Sequence, residues 1–129
     1  MPGGALMLWI GVLVAGGLGA VLRFLVDSAV AHRAARSLHF VGLPYGTFVV
    51  NISGAALLGL LGSLALSRHA ALIADTAFVG SYTTFSTWML ETQRLGEEGQ
   101  IRRAALNIVA SVVVGLAAAL FGRWIAGRL

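Results

Sequence analysis

Four long stretches of the chain contain no charged side chain, and this pattern limits the folds that are open to it. The stretches cover residues 1–22, 37–67, 76–90 and 104–122 of a total of 129. A helix that crosses the hydrocarbon core of a bilayer needs about 20 mainly apolar residues. Only 11% of the residues are charged, against about 25% in an average soluble domain, and 58% are hydrophobic. The sequence therefore predicts an integral membrane protein that is surrounded by the lipid bilayer.

We predict four membrane-spanning helices, near residues 4–31, 46–66, 70–94 and 102–125, with short connections between them. Together they form a single transmembrane domain over residues 1–129, because no stretch is left for a soluble domain. The predicted fold class is an all-α, four-helix membrane protein. The N-terminal stretch lacks the basic start of a cleaved signal peptide, so we interpret it as a retained span.

Composition also argues against several kinds of function. There is no cysteine, which rules out disulfides and thiolate metal sites. All nine basic residues are arginines, and most of them flank the apolar stretches, whereas a nucleic-acid-binding protein would gather them on one solvated face. The histidines, His32, His39 and His69, lie near predicted connections. No catalytic triad, metal-ligand spacing or dinucleotide-binding loop is visible, so we predict neither an enzyme nor a nucleic-acid-binding protein.

The arginines specify the orientation in the membrane only weakly. With four spans, the side that holds both termini carries three arginines (Arg68, Arg123 and Arg128), and the other side carries the remaining arginines except Arg23, five in number. Because the positive-inside rule acts through such differences, this small one permits both orientations in one membrane. It is equally compatible with a fixed orientation that places both short connections on the cytoplasmic side.

Small residues are frequent in the predicted spans, at positions 16–20, at Gly54 and Gly59, and at Gly115. Such residues let membrane helices approach closely, which either packs the monomer or joins it to a second copy. Four spans are too few to enclose a pore comfortably. Conduction of an ion would therefore require an oligomer.

A few polar side chains fall inside the apolar spans, where each costs energy unless it faces protein or water. Thr47 and Asn51 are four residues apart in the second span, and Asn107 and Ser111 repeat that spacing in the fourth. These hydroxyl and amide groups can donate hydrogen bonds to an anion without bringing a fixed charge. They can equally well bond between helices, but two such faces favour an anion pathway.

The third span contains the densest group of polar residues, Gly-Ser-Tyr-Thr-Thr-Phe-Ser-Thr-Trp over residues 80–88. Its glycine, β-branched residues and hydroxyls, including those of Thr84 and Thr87, make it a weak helix. A break here would free backbone carbonyls that can coordinate a small cation, whereas hydroxyls bonded back to carbonyls would leave the helix unbroken. Phe85 and Trp88 share a helix face, and their positive ring edges either contact an anion or simply pack.

Three charged residues lie within or near the predicted spans. Arg23 and Asp27 are four residues apart and can pair, or Arg23 can supply positive potential to a water-filled vestibule. Glu91 lies one turn beyond Trp88. Because an acidic residue can couple transport to protons, the alternative function is a proton-coupled small-cation efflux transporter of the four-span dimeric type. Glu91 and Asp27 lie nearer the span ends than such a mechanism favours.

Three motifs resemble those of the Fluc/CrcB fluoride-channel family, and the resemblance covers essentially the whole chain. They are Gly-Gly-Leu-Gly-Ala-Val-Leu-Arg-Phe at 16–24, Gly-Thr-Phe-Val-Val-Asn-Ile-Ser-Gly at 46–54 and Gly-Ser-Tyr-Thr-Thr-Phe-Ser-Thr at 80–87. The resemblance implies an antiparallel, dual-topology homodimer with two separate fluoride pathways and a third helix that is broken mid-membrane. It also implies a structural sodium ion (Na+) at the dimer interface, held by the backbone carbonyls of Gly80 and Thr83.

The resemblance further implies which residues line the fluoride pathway. Asn51 matches the pore asparagine of the family, and Arg23 matches its vestibule arginine. Phe85 and Trp88 match the two pore phenylalanines, and Trp88 is a departure because its indole is larger and adds an N–H donor. Asn107 stands where the family has a tyrosine. The assigned positions are Asn51, Phe85, Trp88, Thr47, Ser111, Asn107, Thr84, Thr87 and Arg23.

Neutral donors suit such a pathway because fluoride is small and strongly hydrated. Its water must be replaced by preorganised groups, since a poorly compensated anion in a low dielectric is very costly. A fixed positive charge in the narrow section could bind the ion too tightly for conduction. The implied function is passive, fluoride-selective export through the plasma (inner) membrane, which lowers fluoride toxicity. A purely structural membrane subunit is a further alternative.

Overall fold

The structure, a computed structural model, describes residues 2–37 and 43–129. Within these residues it is all-helical and contains no β-strand. His39 and part of the predicted first connection lie outside the described residues. Three helices are long and apolar enough to cross a membrane: α1 (Pro2–Ser37), α2 (Tyr45–Gly62) and α6 (Ile101–Ala126).

The segment between α2 and α6 is built from shorter pieces. After α3 (Arg68–Ala71), a π-helical segment covers Leu72–Val79 and α4 covers Gly80–Tyr82. The backbone is extended at Thr83, with ψ of 164°, and α5 (Ser86–Glu97) begins three residues later. Helical geometry is therefore interrupted at residues 83–85, within the sequence that has the weakest helix propensity.

Some observed helix ends differ from the predicted spans. α1 continues past residue 31 to Ser37, because alanine and arginine are good helix formers even though arginine ends an apolar stretch. α2 ends at Gly62, four residues before the predicted limit.

The glycines of the sequence motifs bring three helices together around the interruption. A Cβ atom at Gly19 of α1 would collide with the Phe78 carbonyl oxygen, and one at Gly54 of α2 would collide with the side chain of Thr83. Only glycine permits such close approach. α2 and α6 meet in the same way, because a Cβ at Gly59 would collide with the backbone of Ala119. The first two motifs therefore pack directly against the third.

Few large side chains are fully buried in the described residues, the largest being Val50 and Leu95. Large apolar side chains on α1 and α6 point outward instead, among them Leu13, Phe24 and Leu116. This surface suits contact with lipid or with another membrane helix. The helices therefore pack mainly through small residues and polar contacts, and apolar bulk faces outward.

Candidate ion pathway

Asn51 holds the interrupted segment through two hydrogen bonds to one residue. Its Nδ2 donates to the Thr84 carbonyl oxygen at 2.8 Å, and the Thr84 amide donates to its Oδ1 at 2.8 Å. In a continuous α-helix the Thr84 amide would donate to the carbonyl of Gly80. The side chain of Asn51 therefore replaces a helical backbone partner and stabilises the interruption.

A second backbone amide in this segment, that of Thr87, also bonds to a side chain instead of to its helical carbonyl partner. The Thr87 amide donates to Thr84 Oγ1 at 3.2 Å, whereas in a continuous helix it would donate to the Thr83 carbonyl. The Thr83 oxygen accepts a hydrogen bond from Nη1 of Arg23 at 3.3 Å instead. Gly80 and Thr83 thus both carry carbonyl oxygens that are separated from their usual helical donors.

A cleft of about 370 Å³ lies on one side of the Asn51–Thr84 pair. The predicted pathway residues in its lining are Asn51, Thr84, Phe85, Trp88 and Ser111, and the two predicted cation positions, Gly80 and Thr83, line it as well. Phe85 is 69% exposed, and its ring meets that of Trp88 edge to face, with the centroids 5.6 Å apart. The Oγ atom of Ser111 is buried and has no hydrogen-bond partner among the described residues.

A second cleft, of about 200 Å³, contains the remaining predicted positions near α1. Arg23, Asp27, Thr47 and Thr87 line it, and Thr84 lines both clefts. The Asn51–Thr84 pair therefore lies between the two. The Arg23 guanidinium donates a hydrogen bond to the interrupted segment and lines this cleft.

Two of the predicted pathway side chains donate hydrogen bonds to other side chains. Thr47 is 4% exposed, and its hydroxyl donates to Glu91 Oε1 at 2.6 Å. Asn107 is 8% exposed and lines a separate apolar cleft beside α2, not the cleft that contains Ser111. Its Nδ2 donates to Thr92 Oγ1 at 2.9 Å. The spacing of Asn107 and Ser111 therefore does not place both side chains in one cleft.

Asp75 is a cleft residue to which no sequence motif pointed. It lies in the π-helical segment and lines the larger cleft, and its Oδ1 atom is buried without a partner among the described residues. The available signal was an acidic residue inside the predicted third span. Asp75 stands immediately before an uncharged stretch, so a prediction based on uncharged residues does not include it.

Comparisons with known proteins identify the family of the chain. The family described as "CrcB-like protein, Camphor Resistance (CrcB)" matches residues 10–123. A protein of Mycobacterium bovis named fluoride-specific ion channel FluC 2 is 66% identical, over 92% of this chain and 90% of its own length. The protein of that name from Mycolicibacterium paratuberculosis is 67% identical, over 92% and 93%.

A more distant relative extends the match almost to full length. A protein of Streptomyces avermitilis named fluoride-specific ion channel FluC 1 is 40% identical, over 95% of this chain and 98% of its own. These relatives are named as ion channels and not as enzymes, in agreement with the prediction from sequence. The family match covers all three motifs that meet at the interrupted helix. The chain belongs to the CrcB family.

Proposed function

We propose that this protein is a fluoride-specific ion channel through which fluoride leaves the cytoplasm passively. The observation that carries the proposal is the Asn51–Thr84 pair, which lies between two clefts lined by hydroxyls and aromatic rings. Relatives that are 66% identical are named fluoride-specific ion channels, which supports the same activity here. The chemistry of the lining residues explains how fluoride could pass.

Fluoride can cross this site only if protein groups replace its water. Asn51 donates one of its two amide hydrogens to the Thr84 carbonyl, and the other is available to an anion. The Ser111 hydroxyl has no hydrogen-bond partner among the described residues. The ring edges of Phe85 and Trp88 add partial positive charge. None of these groups is a full cation, so they stabilise the ion without holding it too tightly to leave. Arg23, in the other cleft, attracts anions toward the site.

A passive pore suits the physiological role. Undissociated hydrogen fluoride crosses membranes and releases fluoride in a more alkaline cytoplasm. The negative potential inside the cell then drives the anion outward. A pore of this kind in the plasma membrane lowers fluoride toxicity without an energy source.

We expect the working unit to be an antiparallel homodimer with two fluoride pathways. Phe85 and the cleft beside it are open to the surface of one copy, so the pathway needs a further wall. The weak arginine bias permits copies of opposite orientation in one membrane. In such a dimer the interruptions at residues 83–85 would meet in the middle of the membrane.

Cysteine labelling tests the dual topology, because the chain has no cysteine of its own. His69, in α3, and Glu97, the last residue of α5, are exposed and lie at opposite ends of the third span. We expect a membrane-impermeant maleimide, added to intact cells, to label about half of each of the variants His69→Cys and Glu97→Cys. Complete labelling of one variant and none of the other would show a fixed orientation. Lysed cells provide the control for full reactivity.

The carbonyl oxygens of Gly80 and Thr83, of which that of Thr83 also accepts a hydrogen bond from Arg23, lack their usual helical donors and could hold the sodium ion that the family resemblance implies. Both line the larger cleft, and small cations are commonly held by carbonyls of unwound membrane helices. Among the described residues, no three His, Cys, Asp or Glu side chains lie together in a way that could hold a metal ion. When bound, sodium supplies positive charge that offsets the partial negative charge of these oxygens. Two copies would contribute equivalent pairs of carbonyls.

Fluoride efflux from liposomes tests the proposed function directly. We expect the purified protein to release trapped potassium fluoride to an external fluoride electrode once valinomycin balances the charge. Proton movement coupled to a small cation, without fluoride release, would instead establish the transporter alternative, which the buried carboxylate of Asp75 favours. The absence of any ion movement would indicate a structural subunit.

A further inference from the structure

Three hydrogen bonds join Trp88, Thr92 and Asn107 in a closed loop between α5 and α6. The indole Nε1 of Trp88 donates to the Asn107 carbonyl oxygen at 3.2 Å. The Asn107 amide donates to Thr92 Oγ1 at 2.9 Å, and that hydroxyl donates to the Trp88 carbonyl oxygen at 2.8 Å. The Thr92 hydroxyl thus accepts a hydrogen bond from Asn107 on α6 and donates one to Trp88 within α5, which closes the loop.

The loop determines what Trp88 presents to the cleft. Its N–H is committed to α6, so the indole offers its ring edge to an anion, as a phenylalanine would, and not its N–H donor. The ring also packs edge to face with Phe85, at an interplanar angle of 84°. A hydrogen bond at one end and an aromatic contact on the other side leave the indole little freedom to turn.

Neither partner in the loop reaches the larger cleft itself. Thr92 is absent from the lining of the described clefts, and Asn107 lines the apolar cleft beside α2. Ser111, one turn after Asn107 on α6, does line the larger cleft. Thr92 would therefore affect ion passage indirectly, because it influences the orientation of Trp88 and the spacing of α5 and α6 beside Ser111.

We propose that Thr92 is a positioning residue of the fluoride pathway, which holds the Trp88 ring edge toward the cleft by linking the Asn107 amide to the Trp88 carbonyl. The proposal rests on the proposed channel function. It explains how the chain accommodates an indole at this position, because the larger ring is anchored on α6 instead of projecting freely into the cleft.

The flux test compares two substitutions at one position. Thr92→Val has nearly the same shape but no hydroxyl, and we expect it to lower fluoride efflux about tenfold. Thr92→Ser restores the hydroxyl, and its efflux should stay within about twofold of the unsubstituted protein. Equal efflux from the Val and unsubstituted proteins would overturn the proposal.

A double substitution separates positioning of the ring from general support of the helices. In a Trp88→Phe background there is no indole N–H to anchor, so adding Thr92→Val should change efflux less than about twofold. A tenfold loss in that background as well would overturn the proposal, since Thr92 would then act independently of Trp88.

Fluorescence gives a readout that does not depend on conduction. Trp9 and Trp124 are 63% and 55% exposed on the outer surface, so replacing both by Phe leaves Trp88 as the only indole. In that protein, Thr92→Val should at least roughly double the acrylamide quenching constant of Trp88, because without the Thr92 link α5 and α6 can shift and weaken the hydrogen bond from the indole to the Asn107 carbonyl. Unchanged quenching would overturn the positioning role. A fluorescence change without fluoride efflux from any variant would support the positioning role and reject the channel function.

Discussion

Fluoride efflux from liposomes should fall by more than about 100-fold when Asn51 is replaced by aspartate, a change that keeps the size of the side chain. The substitution removes both amide hydrogens, one of which bonds to the Thr84 carbonyl and one of which is available to an anion. It also places a negative charge beside the path of an anion. The two oxygens that then face each other at the Thr84 carbonyl would repel, so the interrupted segment would lose one of its two hydrogen bonds to residue 51.

A matched amide-to-acid change separates a local effect from a general effect of added charge. Gln100 precedes α6 in an exposed connection, and an acidic residue there is compatible with the start of a helix. We expect Gln100→Glu to conduct at the rate of the unsubstituted protein. Size-exclusion chromatography should show Asn51→Asp as an assembled species, and undiminished efflux from that species would place Asn51 outside the pathway.

Replacement of Phe85 by isoleucine should reduce fluoride efflux to the rate of protein-free liposomes. Isoleucine keeps an apolar side chain but has no positive ring edge, so an anion that has lost water finds no replacement at this point. Phe85 is 69% exposed in a single copy, so the fold of that copy does not depend on its ring. The measurement is the initial rate of fluoride release at equal protein density.

Phe121→Ile is the corresponding control for Phe85. Phe121 is also exposed, at 57%, but it lies on α6 next to Trp124 and lines none of the described clefts. Efflux should therefore be unchanged by this substitution. If Phe85→Ile conducts as well as Phe121→Ile, the ring of Phe85 has no part in passage of the ion.

The three long apolar helices could be predicted, because the length of an uncharged stretch can be read directly from the sequence. The uncharged stretches located α1, α2 and α6, although α1 continues into a charged segment because arginine favours helices while it disfavours lipid. The composition of residues 80–88 was compatible with both a broken and an unbroken helix. In the structure the backbone leaves helical geometry at Thr83.

The polar contacts of the site could not be predicted, because they join residues far apart in sequence. Asn51 and Thr84 are 33 positions apart, and no spacing rule predicts that a side-chain amide will pair with a particular backbone unit. Spacing predicted that Thr47 and Asn51 share a face of α2, but Thr47 lines the smaller cleft and its hydroxyl bonds to Glu91 on α5. Which cleft a polar group faces depends on the helices packed beside it.

Trp88 shows the same limit at the level of a single residue. From sequence, its indole N–H counted as an additional donor for an anion. The structure gives that N–H to the Asn107 carbonyl, 19 positions away, while Trp88 still lines the larger cleft. An indole can therefore replace a phenylalanine here without adding an N–H donor to the cleft.

Ion selectivity tests the central claim most directly, because neutral donors and ring edges in a narrow passage should favour a small halide. The purified protein would be reconstituted into liposomes that contain equal concentrations of potassium fluoride and potassium chloride, and valinomycin would start the efflux. Fluoride and chloride electrodes in the same chamber would then follow both ions. We predict rapid loss of fluoride while chloride stays trapped. Release of chloride at a rate comparable to that of fluoride would contradict the account.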